Sequence, residues 1–159
     1  MRQRLEADLA LPIADWCRTL GLTVYGEVPC YGRRVDMFAL SDPPHPERSV
    51  AVELKLGLNE RVIEQAEPLT AVVARVYCAV AHRPRRRTAL LRRCRDAGIG
   101  VLMIDGLGVH EALPPGRAPL APLGYGWSRV VAWCESAGPS DVAGVAAGRH
   151  ASVAQASRP

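Results

Sequence analysis

The stretch Val50-Ala51-Val52-Glu53-Leu54-Lys55-Leu56 decides how the rest of the chain is interpreted. Its larger apolar residues alternate with Ala51, Glu53 and Lys55, and a period of two is typical of a β-strand. The side chains of Glu53 and Lys55 then share one face about 7 Å apart, because each residue advances a strand by about 3.3 Å. The pattern predicts a strand with one apolar face and with an acid and an amine together on the other.

Lys55 is the only lysine among the 20 lysine and arginine residues of the chain. The pKa of an ammonium can be tuned by its surroundings, whereas a guanidinium stays protonated. A single lysine in a chain that otherwise uses arginine suggests a chemical role for that lysine. The alternative is a codon bias that left one lysine on a strand by chance.

The length and composition indicate one globular domain with a real core. The chain has 159 residues, of which 48% are hydrophobic and 23% are charged, as in soluble proteins. The charged N-terminus and the short apolar runs predict neither an export signal nor a membrane span. We therefore expect a cytoplasmic protein without a membrane partner.

The five cysteines are odd in number, widely scattered and without a Cys-x-x-Cys pair. Such a pattern indicates neither a disulfide framework nor a zinc site. They are interpreted as reduced packing residues.

The net charge of +4 and the pI of about 9.0 are compatible with a polyanionic partner. Seven arginines lie between residues 83 and 95. They form either a solvated helix face or a patch that contacts phosphates. The candidate nucleic-acid-binding residues in this run are Arg83, Arg85, Arg86, Arg87, Arg92 and Arg93.

The remaining patterns predict an alternating α/β chain. The expected elements are a helix over 2–20, strands over 22–28, 33–40 and 50–56 with a turn at 29–32 and a loop at 41–48, a helix after Asn59, a strand over 75–81, a helix over 84–97, and strands over 99–104 and 109–113. A strand, a helix and a further strand at this spacing indicate a crossover onto a parallel part of the sheet.

The C-terminal part has a different composition. Residues 1–113 form the predicted domain, residues 114–126 are a linker rich in proline and glycine, and residues 127–159 are a short helical or partly disordered tail. Helices are expected at 127–135, 141–147 and 150–157. The tail either frays or joins two copies of the chain, which makes a homodimer one expectation.

Asp36 lies among apolar residues of the second predicted strand. If the second and third strands form a hairpin, Asp36 lies beside Glu53. A buried aspartate without a partner is costly, and coordination of a metal ion by both carboxylates would offset the cost. A structural ion pair of Asp36, Glu53 and Lys55 across the hairpin is the alternative.

The order of motifs resembles the PD-(D/E)XK phosphodiesterase superfamily, which has the restriction-endonuclease-like fold, and more closely a bacterial family of uncharacterised PD-(D/E)XK phosphodiesterases. The resemblance covers about residues 4–113. It depends on Glu6-Ala7-Asp8-Leu9 with Pro12, Gly26-Glu27-Val28, Val35-Asp36, Val52-Glu53-Leu54-Lys55-Leu56 and Gln65-Ala66. The proline of the superfamily motif is replaced by Val35.

The resemblance implies a mixed β-sheet flanked by helices in the order α-β-β-β-α-β-α-β, and a metal-dependent nuclease. It implies that Asp36 and Glu53 are carboxylate ligands of Mg²⁺ or Mn²⁺, with the backbone carbonyl of Leu54 as a third ligand. The resemblance also implies that Lys55 lies beside the attacking water. Glu6 supplies a carboxylate from the first helix, and Gln65 orients water or a phosphate oxygen.

The expected reaction is hydrolysis of a phosphodiester bond of nucleic acid, with DNA as the expected substrate and with a metal-activated water as the nucleophile. Hard divalent ions prefer oxygen ligands, as this set provides. Two rivals are a non-catalytic nucleic-acid-binding module on the same fold and a purely structural or partner-binding domain.

Overall fold

The computed structural model describes residues 6–83, 87–116 and 124–140. It contains four α-helices and six β-strands among these residues. In chain order they are α1 (Ala7–Thr19), β1 (Thr23–Cys30), β2 (Arg33–Leu40), β3 (Val50–Gly57), α2 (Glu60–Ala66), β4 (Arg75–His82), α3 (Arg87–Ala97), β5 (Gly100–Asp105), β6 (Gly108–Leu113) and α4 (Gly124–Ala137). Two short 3-10 helices lie at Pro46–Arg48 and Glu67–Ala71.

The strands form one six-stranded mixed sheet in the order β1-β2-β3-β4-β5-β6. β3, β4 and β5 are parallel, whereas the outer neighbours pair antiparallel. Helices α2 and α3 make the crossovers between the parallel strands. The predicted fold class, a mixed sheet flanked by helices, is confirmed, and so are the element order and the hairpin of β2 with β3.

Helices cover both faces of the sheet. Helix α1 packs against one face, where Val50, Val52 and Leu54 are buried, and helices α2, α3 and α4 pack against the other, where Ala51 is buried. The expected apolar face of β3 is therefore present, but the opposite face, expected to be polar, also buries Ala51 and Glu53. A central strand between two helical layers is buried on both faces. Its successive side chains therefore pack alternately into two different cores.

Local signals explain several element boundaries. Pro12 lies inside α1, as predicted, and Gly21, at φ 73°, follows the end of that helix. The side chain of Asn59 accepts a 3.0 Å hydrogen bond from the N–H of Val62 and so caps α2. The first hairpin turn is shorter than predicted, because Cys30 pairs with Arg33 and only Tyr31 and Gly32, both at positive φ, form the loop.

Helix α4 starts inside the segment that the sequence predicts as a linker. Val130 and Cys134 are buried in the same core as Phe38, and the indole of Trp127 lies 6.5 Å from the Phe38 ring. This apolar face gives the helix a partner, so the packed part of the chain extends beyond residue 113. The predicted helices at 141–147 and 150–157 lie outside the described residues.

The five cysteines are free and buried, as predicted. Burial raises the pKa of the Cys17 thiol to about 12 and that of Cys30 to about 11, which keeps both thiols protonated near neutral pH. None of the helices in the described ranges has the length and apolar character needed to cross a membrane.

Candidate active site

The site forms where β2 and β3 separate. The two strands pair from Met37 with Val52 to Ala39 with Val50, and the ladder stops before Asp36 and Glu53. In place of the next ladder bond, the backbone N–H of Leu54 donates to Oδ2 of Asp36 at 2.8 Å. The carboxylate of Asp36 is therefore fixed at the fork between the strands. Because the N–H and C=O groups of one strand residue point to the same side, the Leu54 carbonyl also points toward β2.

Glu53 lies beside Asp36 and is almost fully buried, with 7% of the residue exposed. Burial above all, together with the negative charge of Asp36 and a hydrogen bond between the two carboxyls, raises the pKa of Glu53 from its ordinary 4.5 to about 8. The positive charges of Lys55 and Arg33 oppose this effect. Two carboxyl groups with too little positive charge around them make a site that favours a proton or a cation.

The ammonium of Lys55 contacts the first helix. Its Nζ atom lies 3.1 Å from Oε2 of Glu6, the residue immediately before α1. Helix α1 covers the opposite face of the sheet from α2, so this contact brings a carboxylate to the end of β3 from the other layer. The structure thus brings Glu6 and Lys55 together, and brings Asp36 beside Glu53.

Gln65 lies on α2, which packs on the face of the sheet that carries Ala51 and Glu53. The Oε1 atom of Gln65 is buried and has no hydrogen-bond partner among the described residues. An unsatisfied buried acceptor carries a free-energy cost of about 1–3 kcal/mol. A water molecule or another donor held at this position would remove that cost.

Glu27 is a third carboxylate near the pair, and the sequence reasoning did not assign it a role. Burial and the charge of Asp36 raise its pKa, while Arg34, 3.8 Å away, lowers it. Its φ of 54° is unusual for a residue other than glycine. Glu27 and Asp36 occupy the one position that the ladder skips between the Gly26–Met37 and Val28–Val35 pairs. The longer turn predicted at 29–32 does not place these two residues opposite each other.

The arginine run is only partly described. Arg85 and Arg86 lie outside the described residues, and the structure gives only the backbone of Arg87. Arg83 and Arg92 are exposed. Arg93 instead forms an ion pair with Glu67 and lies 3.9 Å from Glu60, so it ties α3 to the segment that contains α2. Two carboxylates already neutralise Arg93, which removes it from the exposed positive surface.

The donor set suits a hard divalent ion. Within the described part of the chain, no group of three or more histidine, cysteine, aspartate and glutamate side chains is arranged to hold a metal ion. Mg²⁺ needs fewer protein ligands, since one or two carboxylates suffice when it keeps several waters. Asp36 and Glu53 supply two carboxylates, and the Leu54 carbonyl faces the same strand gap. These residues therefore fit a partly hydrated Mg²⁺ or Mn²⁺ ion.

The fold and the site together define an α/β protein whose mixed sheet carries an acidic pair and one lysine at the fork between two strands. No protein-family profile matches the chain, and no curated protein matches it significantly. Among solved structures it is similar to SfsA of Pyrococcus furiosus, determined in complex with Ca²⁺, with 15% identity and a TM-score of 0.38. The match covers 67% of this chain and 60% of that chain.

Proposed function

We propose that the protein is a nuclease of the restriction-endonuclease-like fold that requires Mg²⁺ or Mn²⁺. The observation that supports this proposal best is the convergence of Asp36 and Glu53 at the strand fork, with Lys55 on the same strand two residues further on. This spacing of two acids and an amine agrees with the PD-(D/E)XK resemblance described above. DNA is the proposed substrate.

The proposed roles follow from the chemistry of each group. Asp36, Glu53 and the Leu54 carbonyl hold the divalent ion, which when bound lowers the pKa of water and neutralises charge on the phosphoryl oxygens. Lys55 donates hydrogen bonds to the attacking water or to a phosphate oxygen. Glu6 accepts from the Lys55 ammonium at 3.1 Å and orients it. Gln65, whose Oε1 lacks a partner, accepts a hydrogen bond from water.

A non-catalytic nucleic-acid-binding module is the second candidate. It is favoured by the Glu6–Lys55 ion pair, in which a carboxylate already engages the ammonium of Lys55. In that case Asp36, Glu53 and Lys55 would stabilise the fork, and nucleic acid would bind without any need for a divalent ion.

The decisive experiment incubates labelled single-stranded, duplex and branched DNA and RNA with Mn²⁺ or Mg²⁺. The wild type should cut at least one substrate, and Lys55→Ala should lower the rate about 100-fold or more, because it removes a charge that stabilises the transition state. Arg18→Ala, on the far end of α1, is the matched control and should cut like the wild type. Cleavage that persists in Lys55→Ala, or no cleavage of any substrate by the wild type, would refute the proposal.

A further inference from the structure

A cavity of about 520 Å³ lies between the tip of the first hairpin and α4. We call it the arginine pocket. Its lining residues come from the hairpin segment 29–34 and from one side of the helix, namely Gly126, Arg129, Val130 and Trp133. Its volume falls within the range of pockets that bind ligands the size of a nucleotide.

The arginine pocket is lined by basic and aromatic side chains. Arg33, Arg34 and Arg129 supply three guanidinium groups, and no lining residue is acidic. Tyr31 and Trp133 supply two aromatic rings, and about half of Tyr31 is exposed. Guanidinium groups bind phosphates through paired N–H donors, and aromatic rings stack on bases. A ligand that matches both features carries a phosphate and a planar ring.

Gly126 leaves room for the ring of Tyr31 against α4. A Cβ atom at position 126 would lie 2.4 Å from the hydroxyl oxygen of Tyr31, so a larger residue would displace the ring. The absence of a side chain at Gly126 lets the ring lie directly on α4. The hairpin tip and the helix therefore form one continuous wall.

The arginine pocket adjoins the acidic pair. Arg34 precedes Asp36 by two residues along β2, which is about 7 Å. Arg34 also lies 3.8 Å from Glu27, whose neighbours Gly26 and Val28 pair with Met37 and Val35 on either side of Asp36. Helix α4 lies on the face of the sheet that carries Ala51 and Glu53. A chain of nucleotides held in the pocket would therefore pass close to the carboxylates.

We propose that the arginine pocket binds one nucleotide of an unpaired nucleic-acid strand, stacking the base on Tyr31 and Trp133 and holding its phosphate with Arg33, Arg34 and Arg129. This inference rests on the proposed nuclease function and identifies the part of the substrate that the protein binds, a single unpaired nucleotide. Bases inside a duplex are stacked on each other, so the pocket favours single strands, ends and opened segments.

The test measures binding without cleavage. Fluorescence anisotropy with a labelled 12-nucleotide single strand in EDTA compares the wild type with Arg129→Glu. Arg18→Glu, on α1 at the opposite face, is the matched charge reversal. We expect Arg129→Glu to weaken binding at least tenfold and to reduce the salt slope by about one to two. Arg18→Glu should bind like the wild type, and circular dichroism checks that both variants are folded.

A second readout reports on stacking. Binding of the strand should quench tryptophan fluorescence, and Trp133→Phe should lose most of the quenching while keeping affinity within about threefold, because phenylalanine also stacks on bases. A duplex of the same sequence should bind more weakly than the single strand.

The outcomes separate this inference from the nuclease proposal. The pocket assignment is wrong if Arg129→Glu and Arg18→Glu bind equally, if quenching persists in Trp133→Phe, if duplex binds better, or if the wild type binds no strand. If the strand binds as expected but Mn²⁺ supports no cleavage, the pocket assignment stands and the nuclease proposal fails.

Discussion

The backbone N–H of Leu54 donates a 2.8 Å hydrogen bond to the carboxylate of Asp36. This bond replaces the ladder contact that β2 no longer provides where the two strands separate. It places a negative charge beside the buried carboxyl of Glu53, and the pair is the most distinctive electrostatic feature of the fork.

Glu53→Gln should stabilise the metal-free protein at pH 8. The pKa of Glu53 is raised above its value in the unfolded chain, so the folded state binds the extra proton between about pH 4.5 and 8. The contribution of the protonated Glu53 carboxyl to the free energy of unfolding is fully present below about pH 4.5 and is lost as the pH rises toward 8. Glutamine avoids this loss, which we expect to be about 2 kcal/mol or more.

Urea unfolding in EDTA at pH 5 and pH 8 measures this effect. The wild type should lose more stability between the two pH values than Glu53→Gln does. Equal losses in both proteins would mean that Glu53 does not carry the raised pKa.

Divalent ions should stabilise the fold through the same pair. An ion that binds only the folded state at one hundred times its dissociation constant adds about 2.7 kcal/mol, which corresponds to a rise of several degrees in the melting temperature. Asp36→Asn should abolish the rise with Mn²⁺ or Mg²⁺. Asp15→Asn, a carboxylate on α1 that pairs with Arg18, should keep it.

Differential scanning fluorimetry over a titration of each ion provides the measurement. The rise in the wild type should be larger at pH 8 than at pH 6, since binding at the lower pH must first remove a proton from Glu53. A rise that survives in Asp36→Asn would locate the ion elsewhere.

Arg92 and Arg93 are neighbours in sequence but should respond differently to substitution. Arg93→Ala should lower the urea midpoint, because it removes the ion pair with Glu67 that ties α3 to the α2 region. Arg92→Ala, at an exposed position, should leave the midpoint unchanged and weaken nucleic-acid binding with a lower salt slope. Equal stability of the two variants would contradict the structural role of Arg93.

The stability of variants at position 27 should depend on how well the new residue tolerates positive φ, as well as on the loss of the carboxylate. Both Glu27→Asn and Glu27→Ala remove the carboxylate, but asparagine tolerates positive φ better than alanine does. We expect Glu27→Asn to be more stable than Glu27→Ala by about 1 kcal/mol. Thermal unfolding of the two variants side by side tests this, and the reverse order would show that the left-handed conformation at position 27 is not maintained.

Much of the fold follows from periodicity in the sequence. The alternation at Val50–Leu56, the cap at Asn59 and the crossover spacing predict the mixed sheet and its order, because these signals are local. Lys55 and Asp36 stand out for the same reason, one as the only lysine and the other as an acid among apolar residues.

Other features depend on contacts that a linear pattern does not contain. The second buried face of β3 requires knowledge that α1 and α2 lie on opposite sides. The pairing of Arg93 with Glu67 joins residues on separate elements. The start of α4 among prolines and glycines depends on its packing against Phe38, so composition alone misassigns that segment.

Because α4 packs on the first hairpin, the arginine pocket is completed late in the synthesis of the chain. The ribosome completes the strands that carry Asp36 and Glu53 long before it synthesises Trp133, so a nascent chain has its acidic pair before it has a complete wall for the arginine pocket. Premature termination after Leu113 would yield a fragment that retains the carboxylates but lacks the α4 side of the arginine pocket.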